Sequence, residues 1–331
     1  MGFLHPIPQD TNTKYYIYIM QKPEYTVVDS FSGCGGSSLG WKLAGFKELL
    51  AVEFDPDAIT TFRMNFPEVN LYAGDIAKLS GEEALRITGL KPGELDVFSG
   101  SPPCQGFSSS GKRDLNDPRN SLFKEYARLL NSFKPKVFTF ENVGGMIKSH
   151  MKQVYLQVVK LLRESGYKVK GQVMNACYFG VPQGRERVII IGVRKDLGIS
   201  PSHPKPFTKT ISVSEAFKDL VCEPDAKPLT PTYIKYWHET KPGTPLGKFA
   251  SRKKLHPDRV SFCLPKHSQS LYHWAEPRLL HTGELKRISS FPDDFKFTSW
   301  ENAANRMGNS VPPLMMKAIA QHIRDEILSK V

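Results

Sequence analysis

At 331 residues the chain can bury one large core and a smaller second one, and its 40% apolar and 24% charged residues are those of an ordinary soluble globular protein. Forty-five Lys and Arg against 33 Asp and Glu leave +12, the electrostatic footprint of a protein that tracks a polyanion such as nucleic acid. Five cysteines without a CxxC pair speak against a disulfide framework or a structural zinc site and for a reducing compartment, and no run approaches the roughly 20 apolar residues that span a bilayer.

The first two dozen residues read as an appendage. MGFLHPIPQD has neither the basic start nor the long apolar run of a signal peptide. YYIYIM, Tyr15 to Met20, is too short for a membrane segment and reads as an edge strand or a packing plug. Met20 lies just before the first core strand, so residues 1–19 are expected to be an upstream extension of the natural start.

From Tyr25 short apolar runs alternate with helical stretches. TVVDSF reads as a strand, SLGWKLAGF as a helix, ELLAVEFD as a strand and DAITTFRMNF as a helix. NLYAGDI, LDVFSGS and KVFTFENV are short buried strands, with SLFKEYARLLNSF and QVYLQVVKLLRESG as amphipathic helices, and YKVKGQVMNA and ERVIIIGVR close the series. Such alternation predicts an α/β fold with a mostly parallel sheet covered on both faces. Residues 200–275 are rich in Pro, Lys, His and aromatics without sustained periodicity, which predicts a small, irregular, loop-dominated insertion. Order returns with GELKRISSFP and with PPLMMKAIAQHIRDEILSK, a terminal helix opened by proline.

Several strand ends carry chemistry. DSFSGCGGSSLG, Asp29 to Gly40, is a Gly-rich strand-to-helix turn whose backbone and helix N-terminus can approach a ligand, although Ser38 breaks the strict GxGxxG of dinucleotide sites. Glu53 at the next strand end is placed for ribose hydroxyls, and Asp75 for the neighbourhood of an adenine. A tight turn with incidental carboxylates is the plainer account. GSPPCQGFSSSG puts Cys104 past another strand end, either as a buried thiol or as a nucleophile. Glu141 in FTFENVGGM can bond a ring nitrogen of a base or cap a helix, and Arg185 and Arg187 can hold a phosphate, pair with Glu141, reach a base oxygen or be solvated.

In this order, DSFSGCGG, GSPPCQGFSSSG, FTFENVGGM, VPQGRERVIIIGVR, RLLHTGELKRISSFPDDF and RMGNSVPPLMMKAIA resemble the motif blocks of the DNA cytosine-5 methyltransferases of bacterial and archaeal type, from about Tyr25 to the C-terminus except for the variable stretch before Trp274. The resemblance implies a Rossmann-like fold dependent on S-adenosylmethionine, organised as an extension at 1–24, a catalytic domain at 25–200, a target-recognition domain at 201–277 and a hinge block with returning helix at 278–331. It implies that Cys104 attacks C6 of a flipped-out cytosine, that Glu141 contacts N3 and the exocyclic amine, and that Arg187, with Arg185 beside it, serves the same base. The cofactor would meet Phe31, Gly33, Gly35, Gly36, Glu53, Asp75, Ile76, Pro102 and Asn309. Ser108, Ser110, Lys112 and Arg113 would close over duplex DNA, and Arg252, Lys253 and Lys254, with Lys235, Trp237 and Arg259 in the same region, would meet it. No metal is implied. The resemblance further implies a cytoplasmic monomer, either an orphan methylase or the partner of a separately encoded restriction endonuclease. The inter-domain block departs from the pattern at His281 and Gly283 but keeps Arg278 and Glu284. Alternatives are a tRNA cytosine-5 methyltransferase on the same motifs and a catalytically dead DNA-binding relative; a nicotinamide dehydrogenase is disfavoured by the broken GxGxxG.

Overall fold

The computed structural model describes residues 25–103, 122–147, 151–207, 209–221, 224–266 and 270–331. Its frame is a seven-stranded sheet built from β1 (Tyr25–Ser30), β2 (Phe46–Glu53), β3 (Leu71–Ala73), β4 (Val97–Gly100), β5 (Val137–Val143), β6 (Tyr167–Asn175) and β7 (Glu186–Arg194). The spatial order is β3-β2-β1-β4-β5-β7-β6, and all neighbours are parallel except β7, which runs antiparallel to both β5 and β6. The expected mostly parallel sheet is therefore present. The order reverses between β1 and β4, the kind of crevice where open α/β sheets hold ligands at the carboxyl ends of their strands.

Alternating side chains divide these strands between two buried layers. Val28, Phe98, Phe138, Phe140 and Ile190 face a core shared with α3 (Gly81–Thr88), α4 (Leu122–Phe133) and α5 (Met151–Glu164). Val27, Val97, Val137, Ile189 and Ile191 face α1 (Gly36–Leu43) and the terminal α10 (Pro313–Glu326), so the last helix does return to the first domain. Gly40 lets these two helices touch: a methyl group there would strike Cβ of Met316, with the Lys317 amide 2.9 Å away. The remaining helix of the first half, α2 (Pro56–Asn65), starts on a proline and is capped by Asp55, whose Oδ1 accepts from the amides of Asp57 and Ala58.

Helix α3 was not anticipated, although Ser80 caps it by accepting from the Glu83 amide at 3.1 Å and Gly89 ends it in the left-handed region. The stretch 200–275 is also more ordered than its composition suggests. It holds α6 (Val213–Ala216), α7 (Pro231–Glu239) and a small sheet of β8 (Pro245–Leu246), β9 (Phe249–Lys254) and β10 (Leu271–Tyr272) in the order β10-β9-β8. Trp237, Leu246, Leu255, Leu264 and Tyr272 bury together with residues of α8 (Thr282–Ile288) and α9 (Trp300–Asn309), a third core beneath a stretch that is otherwise loop, as expected. Helix α9 also went unread, because its small residues Ala303, Ala304 and Gly308 give a weak apolar period although they pack in the core.

Candidate active site

The turn after β1 is shaped by backbone constraint. Phe31, Gly33 and Gly35 all sit at positive φ, and Gly35 opens α1 with no side-chain cap. Its glycines do different work. A Cβ on Gly35 would run into the Phe66 ring, and one on Gly36 would lie 2.6 Å from the Val311 carbonyl. Only at Gly33 is there nothing within 4 Å, so this backbone faces open space. Glu53 closes the turn from the next strand: its Oε2 accepts from the Gly33 amide at 2.7 Å, and Oε1 from the amides of Phe54 and Asp55, both at 2.8 Å.

The other expected cofactor residues gather at the same edge of the sheet. Asp75 lies two residues beyond β3 and accepts from the Ala77 amide at 3.0 Å, while the Ile76 side chain is buried in the core. Pro102 follows β4. Asn309 is exposed at the end of α9; its neighbour Ser310 lies 3.2 Å from the Cys34 sulfur, which ties this segment to the Gly-rich turn. Burial pushes the Cys34 thiol up to about 11, so this cysteine is inert near neutral pH. Two groups at this edge were missed. Phe54, 71% exposed directly after Glu53, offers an aromatic face, and its signal was an aromatic following a strand-end acid. Arg306 pairs with Asp55 at 2.8 Å and so ties α9 to the cap of α2.

At the neighbouring strand ends Glu141 meets Arg187. The pair is 2.9 Å apart and its side chains are only 16% and 12% exposed, reaching diagonally across β5 and β7, where Glu141 is in register with Ile189 and Arg187 with Val143. Arg187 also donates to the Glu186 carbonyl at 2.7 Å. Asn142 donates to the Pro102 carbonyl at 3.0 Å, so β5 fixes the strand end that leads to Cys104. Cys104, Ser108, Ser110, Lys112 and Arg113 lie outside the described residues, as does the extension 1–24.

Arg185 has a different role from the one anticipated. It precedes β7, is 1% exposed, and its terminal nitrogens donate to the carbonyls of Leu264 at 2.9 Å and of Gly308 and Ser310 at 2.8 Å, with the Cys263 sulfur at 3.4 Å. Burial and the Arg187 charge lower its pKa to about 10, still charged at neutral pH. It is a strut joining the 200–275 stretch to the end of α9, and these bonds leave its guanidinium little to offer a base.

In the 200–275 stretch Lys254 requires correction. It is 5% exposed, donates to the Trp237 and Thr240 carbonyls at 3.1 Å each, and lies 3.4 Å from the Trp237 ring centroid, so its ammonium is used internally and does not face a phosphate. Trp237 is likewise buried, donating to the His273 carbonyl. Arg252 and Lys253 are half-buried, the first bonded to the Tyr272 hydroxyl at 2.7 Å and the second over the Phe262 ring, while Lys235 and Arg259 are exposed. Lys254→Met is expected to lower stability by about 1–3 kcal/mol, because two buried carbonyls lose their donor, and to leave the salt dependence of DNA binding unchanged. Thermal melts and binding titrations across salt concentrations check this; a salt slope reduced by about one would place Lys254 on a phosphate after all.

At the start of α8, Arg278 grips both oxygens of Glu284 at 2.7 and 2.9 Å, and Glu284 also accepts from the His281 amide. His281 accepts from the Ala226 amide at 3.1 Å, so the departure at that position keeps a contact with the 200–275 stretch. Among the described residues no group of His, Cys, Asp and Glu is arranged to hold a metal, and no helix is long and apolar enough to cross a membrane.

With this geometry in place, comparison with known proteins is informative. A family model described as C-5 cytosine-specific DNA methylase matches residues 25–325. The chain is 35% identical to the type II methyltransferase M1.HphI of Haemophilus parahaemolyticus, over 94% of this chain and 89% of that protein. It is 31% identical to the type II methyltransferase M.XorII of Xanthomonas oryzae, over 92% and 85%. Among solved structures, a prophage-encoded DNA modification methyltransferase of Escherichia coli shares the fold with a TM-score of 0.80 at 24% identity, covering 92% of this chain and 99% of that one.

Proposed function

The chain belongs to the C-5 cytosine-specific DNA methylase family and is a DNA (cytosine-5)-methyltransferase, and on that premise we propose how its residues divide the work. C5 of cytosine is a poor nucleophile. The Cys104 thiolate adds to C6, which shifts the electrons of the 5,6 double bond toward C5, while Glu141 holds N3 and the exocyclic amine and Arg187 reaches O2. After C5 has gained its methyl group, loss of the C5 proton expels Cys104 and restores the ring. The observation that carries this reading is the buried Glu141–Arg187 pair beside the strand end that Asn142 pins, two residues before Cys104.

The strand-end residues fit S-adenosylmethionine, which supplies the methyl group. Gly33 leaves open space for close approach, Glu53 offers carboxylate oxygens for ribose hydroxyls, and Phe54 with Asp75 and Ile76 suits an adenine. Phe31, Gly35 and Gly36 shape the turn, and Pro102 and Asn309 border it. A base within a duplex is out of reach, so it must be flipped out at a cost of a few kcal/mol. Residues 25–200 then form the catalytic domain, 201–277 the target-recognition domain and 278–331 the hinge and returning helix, with 1–24 an extension. Arg252 and Lys253, together with Ser108, Ser110, Lys112 and Arg113, contact the DNA. The enzyme works as a cytoplasmic monomer, alone or with a separately encoded endonuclease.

Labelled methyl transfer to duplex DNA and to tRNA tests the substrate, and bisulfite sequencing of a plasmid from expressing cells finds the target. Protection of cytosine in one short sequence context is the expected result. Labelling of tRNA with unmodified DNA would overturn it.

A further inference from the structure

The polar character of the sheet changes along one row of positions. Val27, Val97 and Val137 are in register across β1, β4 and β5, and all three are fully buried. Two residues further along the same face, the row reads Asp29, Ser99 and Thr139, exposed by 1%, 3% and 3%. One further step on β5 is Glu141. An apolar trio fits the lower row, so a carboxyl group in the upper one needs a reason.

Asp29 is the least satisfied of these groups. Neither carboxylate oxygen is closed by a well-formed hydrogen bond, and the Ser99 hydroxyl beside it eases the charge. Burial raises its pKa from 3.8 to about 7, with the carboxylates of Glu53 and Glu141 adding to the rise. From β2, Glu48 and Glu53 face it; from β5, Glu141; by β7, Arg185 and Arg187 lie beyond Glu141. Helix α1 contributes the hydroxyls of Ser37 and Ser38, the latter bonded to Glu48 at 3.0 Å, and α10 contributes the apolar Met316 and Ile319.

Next to this row is a largely enclosed cavity of about 10 Å³, room for a single water molecule, bounded by Ser37, Ser99, Thr139, Glu141, Val311 and Ile319. Three hydroxyls and a carboxylate offer the two to four polar partners that a buried water requires.

We propose that this cavity holds one ordered water linking Ser99, and through its hydroxyl Asp29, to Glu141, and that Asp29 is a positioning residue for the proton Glu141 brings to the cytosine ring. The proposal rests on the assignment of Glu141 above. Glu141, a carboxylate while paired with Arg187, takes a proton from the neutral Asp29 carboxyl through Ser99 and water and hands it to N3, and Asp29 becomes a carboxylate. When Cys104 is expelled, the N3 proton returns through Glu141 by the same line to Asp29. This line neither gains nor loses a proton over the cycle, and the C5 proton leaves separately.

The test compares Asp29→Asn, Ser99→Ala and Glu141→Gln in the full chain. Asp29→Asn is expected to lower kcat at least about tenfold with KM for cofactor and DNA unchanged, and to flatten the change of kcat with pH around 7. Its melting temperature at alkaline pH should not fall, since an acid whose folded pKa lies above its unfolded value loses stability as pH rises through that window, and the amide removes this loss. Ser99→Ala, which keeps Asp29 in place, should show the same kinetic pattern more weakly. Wild-type kcat and pH profile in Asp29→Asn or in Ser99→Ala, with Glu141→Gln inactive, overturns the proposal and leaves the Glu141 assignment standing. Retained turnover in Glu141→Gln sinks that assignment itself.

Discussion

Cys104→Ser is expected to abolish methyl transfer to duplex DNA, with a loss on the order of 10⁴-fold or more, while cofactor binding stays close to wild type. A thiol titrates near 8.5 and leaves a reactive anion within reach of neutral pH, whereas a hydroxyl needs an adjacent base to become nucleophilic. The charged groups at the neighbouring strand ends do not supply one, because Glu141 is committed to Arg187. No other described cysteine can substitute: Cys34 and Cys177 are buried with raised pKa values, and Cys263 lies beside Arg185 in the strut. Most of the residues proposed for the cofactor lie at the ends of β1, β2 and β3, so calorimetry should detect little change in cofactor affinity. Covalent capture on a duplex containing 5-fluorocytosine should occur with the native chain and disappear in the variant. Measurable turnover by the serine protein would contradict the covalent mechanism.

The parts of this molecule that a sequence makes legible are those with local physical signals. Short apolar runs separated by helical periods gave the α/β frame, and Glu53, Asp75, Glu141 and the Gly-rich turn were all recognisable as strand-end features. What was lost depended on partners far away in the chain. Arg185 reads as a twin of Arg187, yet its carbonyl partners at Gly308 and Ser310 are more than a hundred residues distant, and only folding shows that one arginine braces and the other faces Glu141. Lys254 follows Lys253 in a basic run, but strand alternation sends successive side chains to opposite faces, one onto Phe262 and the other inward onto Trp237. The region 201–277 hid α7 and its small sheet because short strands carry too few residues to display a period. Asp29 shows the same limit in reverse: its place in a Gly-rich motif was visible, while its isolation among Ser99, Thr139 and the cavity was not.

Arg187→Met is the second change expected to have a large effect, and its consequences separate stability from chemistry. The guanidinium is 12% exposed and lies 2.9 Å from Glu141, so its loss leaves a carboxylate that is 16% exposed without its counter-charge. Breaking a fully buried pair costs about 3–5 kcal/mol, and residual solvent access at this strand end brings the expected loss to about 1–3 kcal/mol. A melting curve measures that part. The kinetic part is larger. Arg187 is assigned to O2 of the base, where charge develops as the thiolate adds, and an interaction made in that state lowers kcat when removed and leaves cofactor KM unchanged. A fall of about 10²–10³ in the single-turnover rate is expected. Arg187→Lys keeps the charge but loses the planar fork that can serve Glu141 and a base oxygen together, so it should recover stability more fully than rate. A methionine variant whose rate loss vanished once the assay temperature was lowered below its melting transition would reduce Arg187 to a purely structural partner of Glu141.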